Sequence, residues 1–214
     1  MHRKWCVCHI YKKIPYRTHS HAQLSTVTSL HDRHYIHRDV KPSNFMVRAG
    51  DVGPTIFLID FGLAKRFREP ATYLHTPYTT KHRIVGTLPF TSVNGQQGHT
   101  QSRRDDLESL AYTIIFLARG YLPWTIDSIC NDHEAVLRKK MSITAENLCE
   151  GLPPSFSKFV IHVRSLGFSE KPDYEHLHTI LLQCSETDWL SEAPPRSVSP
   201  PLCANCTPCL CDRV

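Results

Sequence analysis

His37-Arg38-Asp39-Val40-Lys41-Pro42-Ser43-Asn44-Phe45 is the stretch that decides the fold, and Asp60-Phe61-Gly62 begins 21 residues after Asp39. The first motif offers a carboxylate that can accept the proton of an attacking hydroxyl, together with an amide oxygen that can bind magnesium. The second motif offers another magnesium-binding carboxylate. One such motif arises easily by chance, whereas two complete and linked motifs do not. Together they predict machinery for phosphoryl transfer from a nucleotide.

Two short apolar runs lie between the motifs and predict a β-hairpin. Phe45-Met46-Val47 and Ile56-Phe57-Leu58-Ile59 flank the turn-rich residues 49–54. Gly and Pro between β-branched and aromatic runs are typical of a hairpin. The hairpin would present Asn44 and Asp60 at adjacent strand ends, which is the geometry that two ligands of one magnesium ion require.

The rest of the chain has a mainly helical pattern. A first helix is predicted from about Ala22 to the residues before His37, and a second from Ser102 to Gly120, with Asp105 reaching back to cap its start. Apolar residues on several faces predict that the second helix is central and buried. Further helices are predicted over 129–142, 154–166 and 173–184, whereas residues 65–98 are predicted to form a long loop.

Composition and charge narrow the class of protein. At 214 residues with 41% hydrophobic composition, the chain can bury one core and a small appendage. A net charge of +5 suits a surface that handles phosphate or acidic peptides, and we expect no nucleic-acid partner. Because the sequence has no long apolar run and no secretory signal, we expect an intracellular chain, in the cytoplasm, the nucleus or both.

Residues 22–188 resemble the casein kinase 1 family of protein serine/threonine kinases, and only the large C-terminal lobe of that family. Ser92-Val93-Asn94 is similar to the family's Ser-Ile-Asn, which stands where most kinases carry Ala-Pro-Glu. The remaining matches, besides the two opening motifs, are Gln101-Ser102-Arg103-Arg104-Asp105-Asp106-Leu107-Glu108-Ser109-Leu110, Leu122-Pro123-Trp124, Lys139-Lys140-Met141-Ser142 and Lys171-Pro172-Asp173-Tyr174.

The resemblance implies a fold that is mainly α with a small β-hairpin, a protein-kinase-like large lobe without the β-rich small lobe. That lobe would occupy residues 22–190. Residues 1–21 have no assignment and are expected to be disordered or unrelated to the fold, and residues 191–214 are expected to form a disordered tail rich in Pro, Ser and Cys.

The resemblance also implies the chemistry of each opening motif. Asp39 would be the catalytic base and Lys41 would steady the transferring phosphoryl group. Asn44 and Asp60 would bind Mg²⁺ on ATP. The reaction implied is transfer of the ATP γ-phosphoryl group to Ser or Thr of protein substrates.

Three further residues are implied to be structural. His37 and Arg38 would shape the catalytic loop, and Asp106 would accept hydrogen bonds from the backbone of that loop. None of the three would take part in the chemistry itself.

The sequence before Asp39 lacks two features of a protein kinase. Only 38 residues precede Asp39 and none of them is glycine, so the chain shows no glycine-rich loop and no strand lysine for the phosphates. Since positioning and charge stabilisation drive phosphoryl transfer, we expect this chain to be severely impaired or inactive on its own. Three interpretations stay open: a truncated product of a complete kinase, a pseudokinase or scaffold, and a lobe completed by another chain. A partner covering the exposed surface that faces the small lobe is part of the last interpretation.

Nine cysteines do not form a disulfide framework, because the number is odd and three positions are isolated. We expect Cys130, Cys149 and Cys184 to be ordinary buried thiols. For the cluster at 203–211, three interpretations stay open: an unselected tail, a zinc site, and S-acylation of the kind carried by some fungal-type members of the resembling family. Membrane attachment is expected only if these cysteines are acylated.

Overall fold

A computed structural model describes residues 16–48, 55–126 and 128–183, and in this part of the chain the architecture is mainly helical with two small sheets. The helices are α1 (Tyr16–Asp32), α2 (Val93–Gln96), α3 (Arg103–Arg119), α4 (His133–Ser142), α5 (Ala145–Leu148), α6 (Pro154–Ser165) and α7 (Tyr174–Leu182), with 3-10 turns at Pro42–Asn44, Phe61–Leu63 and Ser128–Asn131. The strands are β1 (Tyr35–Ile36), β2 (Phe45–Arg48), β3 (Thr55–Leu58) and β4 (Lys65–Arg66). The predicted fold class is confirmed: the described residues form a kinase-like large lobe without most of the β-rich lobe. The predicted tail at 191–214 lies outside them.

Helix α3 forms the centre of the core, as predicted. Residues from Leu107 to Ile115 are all buried, and α3 packs against both α1 and α6. Its start is fixed by the Asp105 carboxylate, which accepts a hydrogen bond from the backbone N–H of Ser102 at 2.7 Å. Its end is fixed by Gly120, whose φ of +90° and N–H bond to the Phe116 carbonyl close the last turn. Both predicted helix ends are therefore confirmed.

The start of the first helix was predicted six residues too late. Helix α1 begins at Tyr16, so residues 16–21 are part of the folded unit, and His19 and Ser20 are each only 2% exposed. The ring of His21 packs on His178 of α7 at a centroid distance of 4.3 Å. An interface made of histidine and serine carries no apolar period, which is why the sequence did not indicate helix there.

The predicted hairpin is present. Strands β2 and β3 pair antiparallel, with Phe45 opposite Leu58 and Met46 opposite Phe57. Alternate residues face the core, because Phe45 and Leu58 are buried while Met46 and Phe57 are exposed. The connecting residues 49–54 lie outside the described part of the chain.

The remaining segments differ from prediction in detail. The helix predicted over 129–142 is a 3-10 turn followed by α4, because the Asp132 side chain accepts hydrogen bonds from the N–H groups of Glu134 and Ala135 and starts a new helix. The predicted loop 65–98 is mostly irregular but contains β4, which pairs with β1, and α2.

Cys149 is buried as predicted, and burial raises the pKa of its thiol to about 12. No helix in the described ranges is both long and apolar enough to cross a membrane.

Candidate active site

The Asp106 carboxylate anchors the backbone of the His37 motif. It accepts hydrogen bonds from the N–H of His37 at 2.6 Å and from the N–H of Arg38 at 2.8 Å. Arg38 has a φ of +69°, in the left-handed region, and this turn lets two successive N–H groups point at one carboxylate. These are the backbone contacts that the resemblance implied for Asp106.

A second layer of buried side chains holds Asp106. The His31 Nε2 atom lies 3.0 Å from the Asp106 Oδ2 atom, and the His31 Nδ1 atom lies 2.7 Å from the Tyr174 hydroxyl. Asp106 and His31 are only 1% and 2% exposed. Because a buried carboxylate is stable only when it is hydrogen-bonded or paired, these contacts keep Asp106 in place under the loop.

The His37 ring joins the two opening motifs. Its Nδ1 atom accepts a hydrogen bond from the N–H of Asp39 at 3.3 Å, and its Nε2 atom lies 3.0 Å from the carbonyl of Ile59, the residue before Asp60. This pairing requires the ring proton on Nε2, since a carbonyl can only accept. The ring also packs edge-on against Phe61, with 5.3 Å between centroids. The catalytic loop and the Asp60 motif are therefore held as one unit.

Asp39, Lys41 and Thr87 form a closed set of polar contacts. The Lys41 ammonium lies 2.7 Å from the Asp39 Oδ2 atom and donates to the Thr87 hydroxyl at 2.8 Å. The Thr87 hydroxyl donates to the Asp39 Oδ1 atom at 2.7 Å. Both Asp39 oxygens are thus oriented, and the carboxylate stays within reach of a hydroxyl placed at the site.

Asn44 and Asp60 provide oxygens suited to magnesium. The Asn44 amide nitrogen donates to the Asp39 backbone carbonyl at 2.9 Å and to the Asp39 carboxylate at 3.3 Å, which turns the amide oxygen away from Asp39. Asp60 is exposed and adopts a φ of +64°, and its carboxylate accepts a hydrogen bond from Gly62 at 3.4 Å. A hydrogen bond of 2.8 Å from the N–H of Ile59 to the Asn44 carbonyl brings the two residues to one end of the hairpin.

These two oxygens fit a hard cation whose remaining ligands are oxygens of phosphate and water. Mg²⁺ is usually bound by one or two protein oxygens together with substrate phosphates, whereas a site made by protein alone needs more ligands. Within the described residues, no three His, Cys, Asp or Glu side chains converge on a metal position. Asn44 and Asp60 therefore fit a magnesium ion that arrives with a nucleotide.

The segment carrying Thr87 lies against the catalytic loop at a glycine. Gly86 has a φ of +102°, and a Cβ atom placed there would lie 2.6 Å from the Arg38 carbonyl. Only glycine fits this approach without a shift of the backbone. Arg38 in turn donates from its Nε atom to the Leu63 carbonyl at 2.7 Å, which ties the residues after Asp60 to the same loop.

Thr87 and His31 are the site residues that the sequence did not single out. Thr87 lies 46 residues after Lys41, in a segment predicted to form a long loop. A glycine followed by a residue with a hydroxyl group is the only local pattern there, and it does not predict which carboxylate the hydroxyl contacts. His31 lies within the first predicted helix, but its contact with Asp106 was not predicted.

Comparison with known proteins agrees with this geometry. The family model of the protein kinase domain matches residues 10–187. The chain belongs to the protein kinase family. Casein kinase I homolog 3 of Schizosaccharomyces pombe is 38% identical to this kinase-family chain over 174 residues, which is 77% of the chain. The casein kinase 1 resemblance is therefore confirmed. The match covers 40% of the yeast protein, so the chain spans well under half the length of that relative.

Proposed function

We propose that the chain provides the catalytic half of a protein serine/threonine kinase of the casein kinase 1 type. The observation that carries this proposal is the set of contacts that joins Asp39 to Lys41, Asn44 and Thr87. Phosphoryl transfer needs little covalent help from the protein and depends on orientation and charge. A carboxylate oriented by three donors, one of them a lysine, meets that need.

Each residue has a distinct part in the proposed reaction. Asp39 accepts the proton of the Ser or Thr hydroxyl while the hydroxyl oxygen bonds to the γ-phosphorus and ADP leaves. Lys41, whose side chain is 22% exposed, can shift toward the developing negative charge on the phosphoryl group. Mg²⁺, held by Asn44 and Asp60, would neutralise charge on the nucleotide phosphates.

The outer face of the hairpin supports a partner in this proposal. Met46 and Phe57 are register partners on one face, with 40% and 39% exposure, and Phe61 at the nearby strand end is 52% exposed. Clustered apolar side chains of this kind mark a surface that another unit covers. We propose that a β-rich lobe, which in protein kinases carries the glycine-rich loop over the phosphates, covers it. An intracellular location and protein substrates are part of the same proposal.

The first test is binding of magnesium and a nucleotide to the full chain. We expect binding that requires Mg²⁺, and Asp60→Asn should weaken it by about tenfold or more, since it removes a charged ligand. Asp32→Asn is the matched control, because Asp32 is exposed at the end of α1. Asp39→Asn should retain binding while transfer of labelled phosphate to a Ser/Thr protein is lost.

The alternative is a pseudokinase or scaffold built on the large lobe, for which the exposed apolar face of the hairpin would be a binding surface. It predicts no magnesium-dependent nucleotide binding, or binding that Asp60→Asn leaves unchanged. Either result would overturn the kinase proposal.

A further inference from the structure

Lys140 is a fully buried lysine whose ammonium has a complete set of partners. It lies on α4 at 0% exposure. Its Nζ atom donates to the Leu88 carbonyl at 2.7 Å, the Thr91 carbonyl at 2.7 Å and the Gln96 side-chain oxygen at 3.1 Å. An ammonium has three protons, so every donor has an acceptor. A buried cation satisfied in this way is costly to disturb, because removal of its charge leaves acceptors unpaired.

Two of the three acceptors belong to the segment that carries Thr87. Leu88 follows Thr87 directly, and the N–H of Thr91 bonds back to the Thr87 carbonyl at 3.0 Å. The Trp124 indole holds the same segment through a hydrogen bond of 2.8 Å to the Pro89 carbonyl. The Lys140 ammonium lies 5.3 Å from the centroid of the Trp124 ring, so the two side chains that contact this segment are neighbours.

We propose that Lys140 is a positioning residue for the phosphoryl-transfer site, acting by holding residues 88–91 so that Thr87 meets Asp39. The chain of contacts is short: Lys140 to Leu88 and Thr91, then Thr87 to the Asp39 Oδ1 atom at 2.7 Å. Lys140 touches neither nucleotide ligands nor Asp39. The inference rests on the proposed function for its effect on catalysis, but its effect on the segment stands on geometry alone.

The charge on Lys140 makes the arrangement dependent on pH. The charged or titratable groups that face it are Glu108 and Tyr112 on α3 and Arg164 on α6, while α2 and the 88–91 segment contribute uncharged acceptors. The pKa of Lys140 is lowered to about 7, chiefly by burial; Glu108 acts to raise it and Arg164 to lower it. The closed segment therefore favours the neutral amine, whereas an opened segment exposes Lys140 to water and favours the ammonium. Opening of the segment becomes less favourable as the pH rises above 7.

The experiment is amide hydrogen exchange on the full chain. The N–H groups of Phe90 and Thr91 both bond to the Thr87 carbonyl, at 2.9 and 3.0 Å, and report the segment directly. Lys140→Met, of similar length but without donors, should speed exchange at these two amides by about tenfold or more, because two charge-assisted hydrogen bonds are lost. Lys139→Met is the control, since Lys139 is the exposed neighbour on the same helix. Lys140→Arg should restore part of the protection.

The pH profile separates positioning from general stability. Exchange at Phe90 and Thr91, corrected for the intrinsic rate, should slow between pH 7 and pH 9 in the wild type and stay independent of pH in Lys140→Met and Lys140→Arg. If Lys140→Met does not fold, Lys140→Arg and the wild-type profile carry the test. Unchanged protection in a folded Lys140→Met, or a wild-type profile as flat as that of Lys140→Arg, overturns the proposal.

Kinetics then distinguish this inference from the proposed function. With an active chain, Lys140→Met should lower kcat while the affinity for magnesium and nucleotide stays as in the wild type. If no variant and no wild-type sample transfers phosphate, the proposed function fails, yet the exchange results at Phe90 and Thr91 still decide the inference about the segment.

Discussion

Asp106→Asn tests the claim that a single buried carboxylate holds the catalytic loop. Asp106 accepts three hydrogen bonds, from the N–H groups of His37 and Arg38 and from the His31 ring. Asparagine has one acceptor oxygen. If that oxygen takes the Oδ2 position, the contacts with His37 and His31 survive and the new NH₂ group faces the Arg38 N–H. In the reverse orientation the contacts with His37 and His31 are lost. The more favourable orientation therefore leaves one buried N–H, that of Arg38, without an acceptor.

The magnitude follows from the loss of the Arg38 contact. A hydrogen bond to a charged acceptor contributes about 1.5–3 kcal/mol, and an unpaired buried donor costs about 1–3 kcal/mol. We expect the free energy of unfolding to fall by about 2–4 kcal/mol, a large part of a typical total of about 5–15 kcal/mol. Urea denaturation followed by circular dichroism should show the midpoint falling by about 1 M or more.

The control for this measurement is Asp32→Asn. It makes the same chemical change at an exposed position, and it should stay within about 0.5 kcal/mol of the wild type. Equal midpoints for Asp106→Asn and Asp32→Asn would refute the argument that the catalytic loop depends on this carboxylate.

Three further substitutions test other features by urea denaturation. Burial raises the pKa of Asp105 from 3.8 to about 7, so between those values the folded chain holds a proton that the unfolded chain releases, and wild-type stability falls as the pH rises through this window. Asp105→Asn removes this dependence, so its free energy of unfolding relative to that of the wild type should rise by up to about 4 kcal/mol from pH 4 to pH 8. A difference in free energy that does not change with pH contradicts the burial argument. Gly86→Ala would place a Cβ atom 2.6 Å from the Arg38 carbonyl and should cost about 2–4 kcal/mol. Gly120→Ala, at φ +90° in open space, should cost only about 1–2 kcal/mol, and equal losses would exclude the clash as the cause.

The parts of the fold that sequence could predict are those with a local physical cause. The hairpin follows from two apolar runs around a turn-rich segment, and the end of α3 follows from a glycine after an apolar period. Asp106 was assigned through its motif, and its two backbone contacts are present. The chemical roles of Asp39, Lys41, Asn44 and Asp60 stay predictions that the binding and transfer experiments test.

The features that sequence missed depend on contacts between distant residues. Lys139 and Lys140 are adjacent and chemically identical, yet one is exposed and the other fully buried, because only Lys140 faces Leu88 and Thr91. A pair of lysines near a helix end is ordinarily solvated, so nothing local marks the second as an internal cation. The contact of Thr87 with Asp39 spans 48 residues and is equally invisible to local pattern.

The hydrogen bonds from His37 and Arg38 to Asp106 join residues 69 and 68 positions apart, and this separation has a consequence for synthesis of the chain. The His37 motif leaves the ribosome well before the residue that shapes its backbone. At a synthesis rate of about 5–20 residues per second, the delay is about 3–14 s. A nascent chain that ends before Asp106 carries Asp39 and Asn44 without the carboxylate that shapes their loop. We therefore expect this loop to take its final shape only after the start of the central helix has been synthesised.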